Sequence, residues 1–316
     1  MKRILVVGAE GQVGSELTPK LREIYGEENV VATDLKDPVN SGSGPFEHVD
    51  ATDAEAMKRV IEKYHIDTVY HLVTLLSAAA EANPNKAWHV CMSSLKHVLD
   101  LAVEKNMERV FWPSSIAAFG PTTPKDTVPQ STVLEPTTMY GVTKVAGELL
   151  CQYYNVKYNL DVRSVRYPGL ISWKVEPDGG TTDYGVQMFY EAIRHKEYDC
   201  YLTDDSTLPM MYMDDAVKAT IDLMQVEDPV RIKVRTSYNL ASFSFSPKEL
   251  AEEIRRHIPD FVLTCTPEAR RQKIANSWPR TIDDSAARAD WDWKPAFGLT
   301  EMVDEMMKQL RKKLSA

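Results

Sequence analysis

Tyr140-Gly141-Val142-Thr143-Lys144 sets a phenol and an ammonium group four residues apart. On a helix, residues at that spacing share one face, so the two groups lie side by side. A neighbouring cation favours the phenolate and lowers a tyrosine pKa from about 10 toward working pH. Such a group is a general base for an alcohol, removing the hydroxyl proton as hydride leaves the carbon. The pattern also arises by chance on exposed helices, so its company decides what it means. Ser115, in Ser114-Ser115, precedes Tyr140 by 25 residues and closes a short apolar run. A hydroxyl at the carboxyl end of a strand can hold the reacting oxygen beside the phenol. The blander reading of Ser115 is a turn serine after Pro113.

A second group of residues suits a dinucleotide. Gly8-Ala9-Glu10-Gly11-Gln12-Val13-Gly14 lies between an apolar run, Ile4 to Val7, and a stretch with Val13, Leu17 and Leu21 at helical spacing. There a pyrophosphate would meet backbone amides at the positive end of a helix, which makes Gly8, Gly11, Gln12, Val13 and Gly14 the candidate cofactor residues, the glycines allowing the tight turn, the approach of phosphate and close helix packing. The spacing is G-x-x-G-x-x-G and not G-x-G-x-x-G. Asp34 stands 20 residues after Gly14, where a carboxylate accepts both hydroxyls of the adenosine ribose and repels a 2'-phosphate. That favours NAD over NADP, with Lys36 nearby pulling the other way; the alternative for Asp34 is a turn before Pro38. Asp50, followed by Ala51, could reach the adenine amino group, or it could cap a helix.

These residues need a scaffold, and the chain alternates between two periodicities. Strand-like runs fall at Ile4–Val7, Val30–Thr33, Thr68–Val73, Arg109–Pro113 and Val162–Tyr167. Apolar residues three and four apart predict helices at Ala54–Tyr64, Trp88–Lys105, Met139–Tyr154 and Tyr184–His195. Alternation of this kind implies a doubly wound parallel sheet with helices on both faces. The rhythm changes after Gly169, at the Pro/Gly stretch Pro177–Gly180. Residues 1–170 therefore read as a dinucleotide domain and 171–316 mainly as a smaller substrate-binding lobe. Ser237–Leu240 and the helix after Ser246 could return to the main layers.

Composition removes several classes of function. The chain has 316 residues, 43% hydrophobic and 26% charged, within the globular range. A net charge of -9 argues against a nucleic-acid binder. Cys91, Cys151, Cys200 and Cys265 form no C-x-x-C pair, so neither a disulfide framework nor a metal site is expected. The most apolar stretch, Leu72–Ala80, is far shorter than the roughly 20 residues that span a bilayer. No targeting segment is visible at Met1–Gly8, and a cytoplasmic protein, or a matured organellar one, is expected.

Taken together, the glycine loop, Asp34, Ser115 and Tyr140-x-x-x-Lys144 resemble the extended short-chain dehydrogenase/reductase superfamily. Phe111–Pro124, Arg166–Trp173, Gly180–Tyr184, Leu208–Asp215 and Ser277-Trp278-Pro279 with Asp283-Asp284-Ser285 are similar to its short-chain L-threonine 3-dehydrogenases. The likeness spans nearly the whole chain. It implies a Rossmann-type sheet, a C-terminal substrate lobe, and oxidation of the 3-hydroxyl of L-threonine by NAD to 2-amino-3-oxobutyrate. In that reading Tyr140 is the base, Ser115 positions the hydroxyl, and Lys144 binds the nicotinamide ribose and tunes Tyr140. Ser77, Thr181 and Thr182 would hold the amino acid's carboxylate and ammonium, although Thr181 and Thr182 could merely cap the helix that follows. Leu72, Leu75, Tyr167 and Leu170 would line the nicotinamide pocket, and core packing explains the leucines equally well. Trp278 would close over the substrate or pack the lobe. The helices after Leu95 and Met139 could pair across a two-fold axis in a homodimer.

One residue departs from the superfamily pattern: Cys91 stands where an asparagine is usual, which puts the proton relay in doubt. Two other functions share the cofactor residues. A nucleotide-sugar epimerase or dehydratase would use the same loop, but Pro177–Asp183 offers no basic residue for a diphosphate. A dinucleotide sensor would have little use for an intact Tyr140 and Lys144. The zinc-dependent threonine dehydrogenases need clustered cysteine ligands that this chain lacks.

Overall fold

Ile4–Val7 (β1) is apolar at every position and fully buried, as a strand covered on both faces must be. Its side chains alternate. Ile4 and Val6 face one hydrophobic cluster, Leu5 and Val7 another on the opposite side of the sheet. The computed structural model describes residues 2–39, 42–176 and 179–315 of the chain.

β1 is flanked by Val30–Asp34 (β2) and then Phe46–His48 (β3) on one side. On the other side lie Thr68–His71 (β4), Arg109–Phe111 (β5) and, outermost, Val162–Arg163. All five pairings are parallel, with Ile4 opposite both Val30 and Thr68. The chain runs outward from β1 to one edge and returns to the other side, so the switch point falls between β1 and β4. Ligands bind outside the carboxyl ends of the strands at such a point. Gly14–Tyr25 (α1) covers the face of Ile4 and Val6, while Ala54–Tyr64 (α2) covers that of Leu5 and Val7.

Three sequence expectations need correcting. The run Arg109–Pro113 ends as a strand at Phe111, and Ser114–Ser115 (β6) resumes in a separate parallel ladder. Val162–Tyr167 likewise splits at Ser164 into Val162–Arg163 (β7) and Val165–Tyr167 (β8). β8 pairs with β6, Ser115 opposite Tyr167. Third, the single helix expected over Trp88–Lys105 is three pieces. After the short helices Ser77–Ala82 (α3) and Pro84–Trp88 (α4), His89–Ser93 forms a π turn before Ser94–Glu104 (α5). A π turn adds one residue per turn and is frequent at functional sites.

Met139–Tyr158 (α6) follows β6 and runs four residues beyond its expected end, to Asn159 in the left-handed region. Gly169–Ile171 (β9), Leu208–Tyr212 (β11) and Phe243–Phe245 (β13) make a second sheet, and Glu197–Cys200 (β10) pairs in parallel with Val262–Cys265 (β14). Tyr184–Arg194 (α7), Pro247–Arg255 (α9) and Leu299–Leu314 (α12) pack around a core containing Phe189, Leu250 and Met306. Met213–Gln225 (α8) instead lies beside α1 on the main sheet. Tyr238–Asn239 (β12) also returns to the first layers, pairing with β8. Ala269–Ser277 (α10) and Ser285–Trp291 (α11) complete the chain's helices among the described residues. No helix among these is long and apolar enough to cross a membrane.

Candidate active site

The glycine loop turns sharply because Gly8 adopts φ +86°, a conformation that favours glycine. A Cβ on Gly14 would fall 2.3 Å from the Gly8 carbonyl oxygen, so the first turn of α1 sits directly on the end of β1. The first bond of the helical ladder runs from Ser15 N to Gly11 O at 2.9 Å. The amides ahead of it, those of Gln12, Val13 and Gly14, are thereby left for an anion. Asp34, ending β2, accepts from Glu10 N at 2.9 Å and from Lys36 N at 3.1 Å, which places its carboxylate against the loop. These features fit a dinucleotide: a cradle with no room for a side chain at Gly14, free helix-start amides, and a carboxylate beside them.

Val49 N donates to Asp34 O at 3.2 Å, so Asp50 and Ala51 emerge at the same sheet edge. Asp50 is exposed and accepts from both Thr52 N and Thr52 Oγ1, bonds that hold its carboxyl below the usual range. It is not the cap of α2, which is Asp53. Leu72 donates its amide to Val7 O at 2.8 Å, and Val13, Leu72 and Leu170 pack on the cluster that contains Tyr167. The Tyr167 hydroxyl is committed to Thr220 of α8, and its ring is buried in that cluster. Leu75 is half-buried, and Ser77 is buried at the start of α3.

Tyr140 and Lys144 stand in the first turns of α6, which Thr138 caps through a bond from Gly141 N at 3.1 Å. A Cβ on Gly141 would meet the Ala117 carbonyl at 2.2 Å, so the helix start presses onto the turn that follows Ser115. That contact brings Ser115 to the phenol. The Ser115 hydroxyl is near enough to the phenol to favour its ionised form, and Ser115 Oγ accepts from Ala117 N at 3.2 Å. Lys144 Nζ lies 5.3 Å from the Tyr140 ring centroid and 4.7 Å from that of Trp112, and donates to Pro113 O at 2.8 Å. Ser115, Tyr140 and Lys144 thus come together at the carboxyl edge of the sheet.

The electrostatics differ from the expectation that Lys144 would draw the Tyr140 pKa down. Burial pushes the phenol up, the Ser115 hydrogen bond opposes it, and Cys91 adds to the rise. Burial also brings Lys144 down to about 8. Desolvation is the largest effect on both groups, because burial disfavours each charged form. Cys91 sits in the π turn, buried, with its sulfur 3.5 Å from Thr74 Oγ1.

Thr181, Thr182 and Trp278 belong to the second sheet and the lobe around it. Thr182 lies over Gly169, where a Cβ would approach its side chain at 2.9 Å, and Thr181 is buried. Tyr201 Oη donates to the carbonyls of Gly180 and Thr181, while Asp183, not a threonine, occupies the start of α7. Pro177 and Asp178 lie outside the described residues. Trp278 is buried in the cluster on which Tyr140 also packs, and its carbonyl accepts from Lys125 Nζ at 3.2 Å. Sequence reasoning missed a buried carboxylate next to this site, Glu148, although it falls four residues after Lys144 on the same helix face.

The family described as NAD dependent epimerase/dehydratase matches residues 4–241. An uncharacterized epimerase/dehydratase of Staphylococcus haemolyticus is 48% identical over 316 residues, covering 99% of each chain. Among solved structures, the holo form of a GalE-like L-threonine dehydrogenase from Cupriavidus necator is 50% identical, with a TM-score of 0.95 over 98% of this chain and 99% of that one. A monomeric L-threonine 3-dehydrogenase from a metagenome is 45% identical, with a TM-score of 0.94 over 98% and 99%. With the cradle, the carboxylate and the Ser115, Tyr140 and Lys144 cluster in place, the chain belongs to the NAD-dependent epimerase/dehydratase family and is an enzyme whose cofactor is NAD.

Proposed function

We propose that this enzyme oxidises the 3-hydroxyl of L-threonine to 2-amino-3-oxobutyrate. The observation that carries the reading is the convergence of Ser115, Tyr140 and Lys144 at the sheet edge, in a chain about half identical to L-threonine dehydrogenases throughout its length. The amides of Gln12, Val13 and Gly14 would hold the pyrophosphate, with Gly8 and Gly11, whose amides donate to Thr33 O and Gly8 O, shaping the turn that lets it approach; Asp34 would hold the adenosine ribose, and Asp50 with Ala51 the adenine. Leu72, Leu75, Tyr167 and Leu170 would offer the apolar wall of the nicotinamide pocket. Bound NAD supplies the hydride acceptor and a cationic ring.

Tyr140 Oη would take the proton of the substrate hydroxyl, and Ser115 Oγ, beside that phenol, would hold the same oxygen. Lys144, anchored on Pro113 O, orients the ribose and presents its charge to the phenol. Ser77, Thr181 and Thr182 would bind the substrate's zwitterion, since hydroxyls can both donate to a carboxylate and accept from an ammonium. Trp278 would bound the substrate space from the second lobe. Residues 1–170 would thus carry cofactor binding and 171–316 most of the substrate contacts. We propose further a homodimer built on α6 and a cytoplasmic enzyme, whose four free thiols suit a reducing compartment.

The second reading is a nucleotide-sugar epimerase or dehydratase, favoured by the description its Staphylococcus haemolyticus relative carries. The test is NADH absorbance on mixing the purified protein with NAD and L-threonine, with L-serine, L-allo-threonine and a UDP-sugar run beside it. Turnover on L-threonine is expected. Silence on every amino acid alongside tight NAD binding would move the sugar reading to the front.

A further inference from the structure

Four side chains form a closed polar network beneath the active site, and none of them contributes to the chemistry above. Glu148, Arg166, Ser114 and Asn239 are all at most 3% exposed. Glu148 Oε1 accepts from Ser114 Oγ at 2.6 Å and from Arg166 Nε at 2.9 Å, and Glu148 Oε2 accepts from Arg166 Nη2 at 2.7 Å. The remaining arm of the guanidinium, Nη1, donates to Asn239 Oδ1 at 2.9 Å and to Gln130 O at 3.3 Å. Asn239 Nδ2 then donates to the carbonyls of Val128 and Asp283, both at 3.2 Å. A buried ion pair is a poor route to stability, because desolvation offsets much of the attraction. A two-pronged fork on one carboxylate, with the third nitrogen also bonded, does fix geometry.

What it fixes is specific. Ser114 and Arg166 are register partners across β6 and β8, and the next pair along is Ser115 opposite Tyr167. Glu148 lies on α6, one turn beyond Lys144 and two beyond Tyr140. One carboxylate therefore joins the helix of the phenol to the strand of the serine. From Asn239 the chain of bonds reaches Val128, whose amide takes Thr281 O at 3.1 Å and whose carbonyl accepts from Asp283 N at 3.0 Å, in the segment that carries Trp278.

We propose that Glu148 and Arg166 are positioning residues of the active site, a buried latch that sets Ser115 against Tyr140 and ties the catalytic helix to the segment bearing Trp278. The roles of Ser115, Tyr140 and Trp278 in this statement rest on the proposed function. The latch has an electrostatic consequence as well. Lys144 is faced by Cys91 from the π turn, His71 from β4, and Tyr140, Cys151 and Glu148 along α6. Burial takes His71 down to about 3 and pushes Cys151 up; against the burial of Lys144 itself, Cys91 and then Glu148, which is bridged to Arg166, favour the ammonium.

The experiment compares Glu148→Gln, Arg166→Lys and Ser114→Ala with the wild type. Three readouts are taken: kcat and its pH profile on L-threonine, the Kd of NAD, and hydrogen exchange by mass spectrometry. Glu148→Gln keeps the shape and removes the charge. It is expected to lower kcat by about tenfold or more, as small misplacements of reacting groups do. NAD affinity should fall much less than kcat, because the contacts of the glycine loop and Asp34 involve none of the latch residues. The alkaline limb of the profile should move to lower pH, since losing the carboxylate lowers the Lys144 pKa further. Exchange should rise in 114–119 and 276–284 and not in the glycine loop. Arg166→Lys keeps the charge but loses the fork, and should fall with Glu148→Gln. Ser114→Ala leaves the ion pair whole, and should still quicken exchange at 114–119 if the other variants do not fold. Unchanged kcat, pH profile and exchange would overturn the latch, and so would a uniform rise in exchange at unchanged kcat. If the wild type itself does not turn over L-threonine, the substrate reading falls and the exchange pattern alone decides the latch.

Discussion

A partly buried phenol that must act as a base ionises against a desolvation cost, which a nearby positive charge lowers. At Tyr140 burial outweighs the hydrogen bond from Ser115, and Lys144 is itself brought down to about 8. Lys144 Nζ, 5.3 Å from the Tyr140 ring centroid, is the charge at hand to offset that cost. Tyr140→Phe keeps the ring in its packing and removes only the hydroxyl. Turnover should be lost by about a thousandfold or more, the scale of a general base together with its orienting contacts, while the Kd of NAD stays nearly unchanged. Substantial residual turnover would remove Tyr140 as the base. At the other end of the cofactor, Asp34 is already tied to Glu10 N and Lys36 N, so its carboxylate is held in place before any ribose arrives. Asp34→Ala should weaken NAD by about tenfold or more, the value of a charge-assisted hydrogen bond, and NADP far less. Calorimetric titration with both cofactors checks this, and equal losses would end the ribose role. The pairing of Tyr140 with Lys144 was legible from spacing alone. The direction of their pKa shifts was not, because desolvation depends on what covers them.

At the scale of elements, the strands and helices with strong periodicity were legible and the interruptions were not. β3 is three residues long at the sheet edge and incompletely buried, so it has no apolar run to betray it. The breaks after Phe111 and at Ser164 leave apolar stretches intact in sequence, yet they let β6 and β8 leave the main sheet and carry Ser115 to α6. The π turn at His89–Ser93 has no mark in residue type, and it is where Cys91 turns toward Thr74. Glu148 and Arg166 were hidden for a further reason. A carboxylate and a guanidinium 18 residues apart usually read as two solvated charges, and only the seating of α6 on β6 and β8 makes them one buried pair.

For the whole molecule, α6 poses a question of association. Its inner face buries Lys144, Gly147, Glu148, Cys151 and Tyr154, as a helix on a sheet should. Its outer face carries Val142, Leu149, Tyr153 and Val156, which are 39%, 57%, 50% and 78% exposed. Their spacings of seven, four and three residues put all four on one stripe. A helix apolar on both sides is either buried or partnered, and a contiguous exposed stripe marks an interaction surface. A second copy of the chain can lay the same stripe against this one across a two-fold axis, the self-complementary arrangement of most small oligomers. A relative described as monomeric shows that the family alone does not impose this, so the stripe carries the proposal. Sedimentation velocity should find the wild type as a dimer at micromolar concentration. Leu149→Glu with Val156→Lys, both on the outer face, should give a folded monomer with an unchanged far-ultraviolet spectrum. If the wild type sediments as a monomer, the stripe is a solvent-exposed apolar face, and the active site must be complete within one chain.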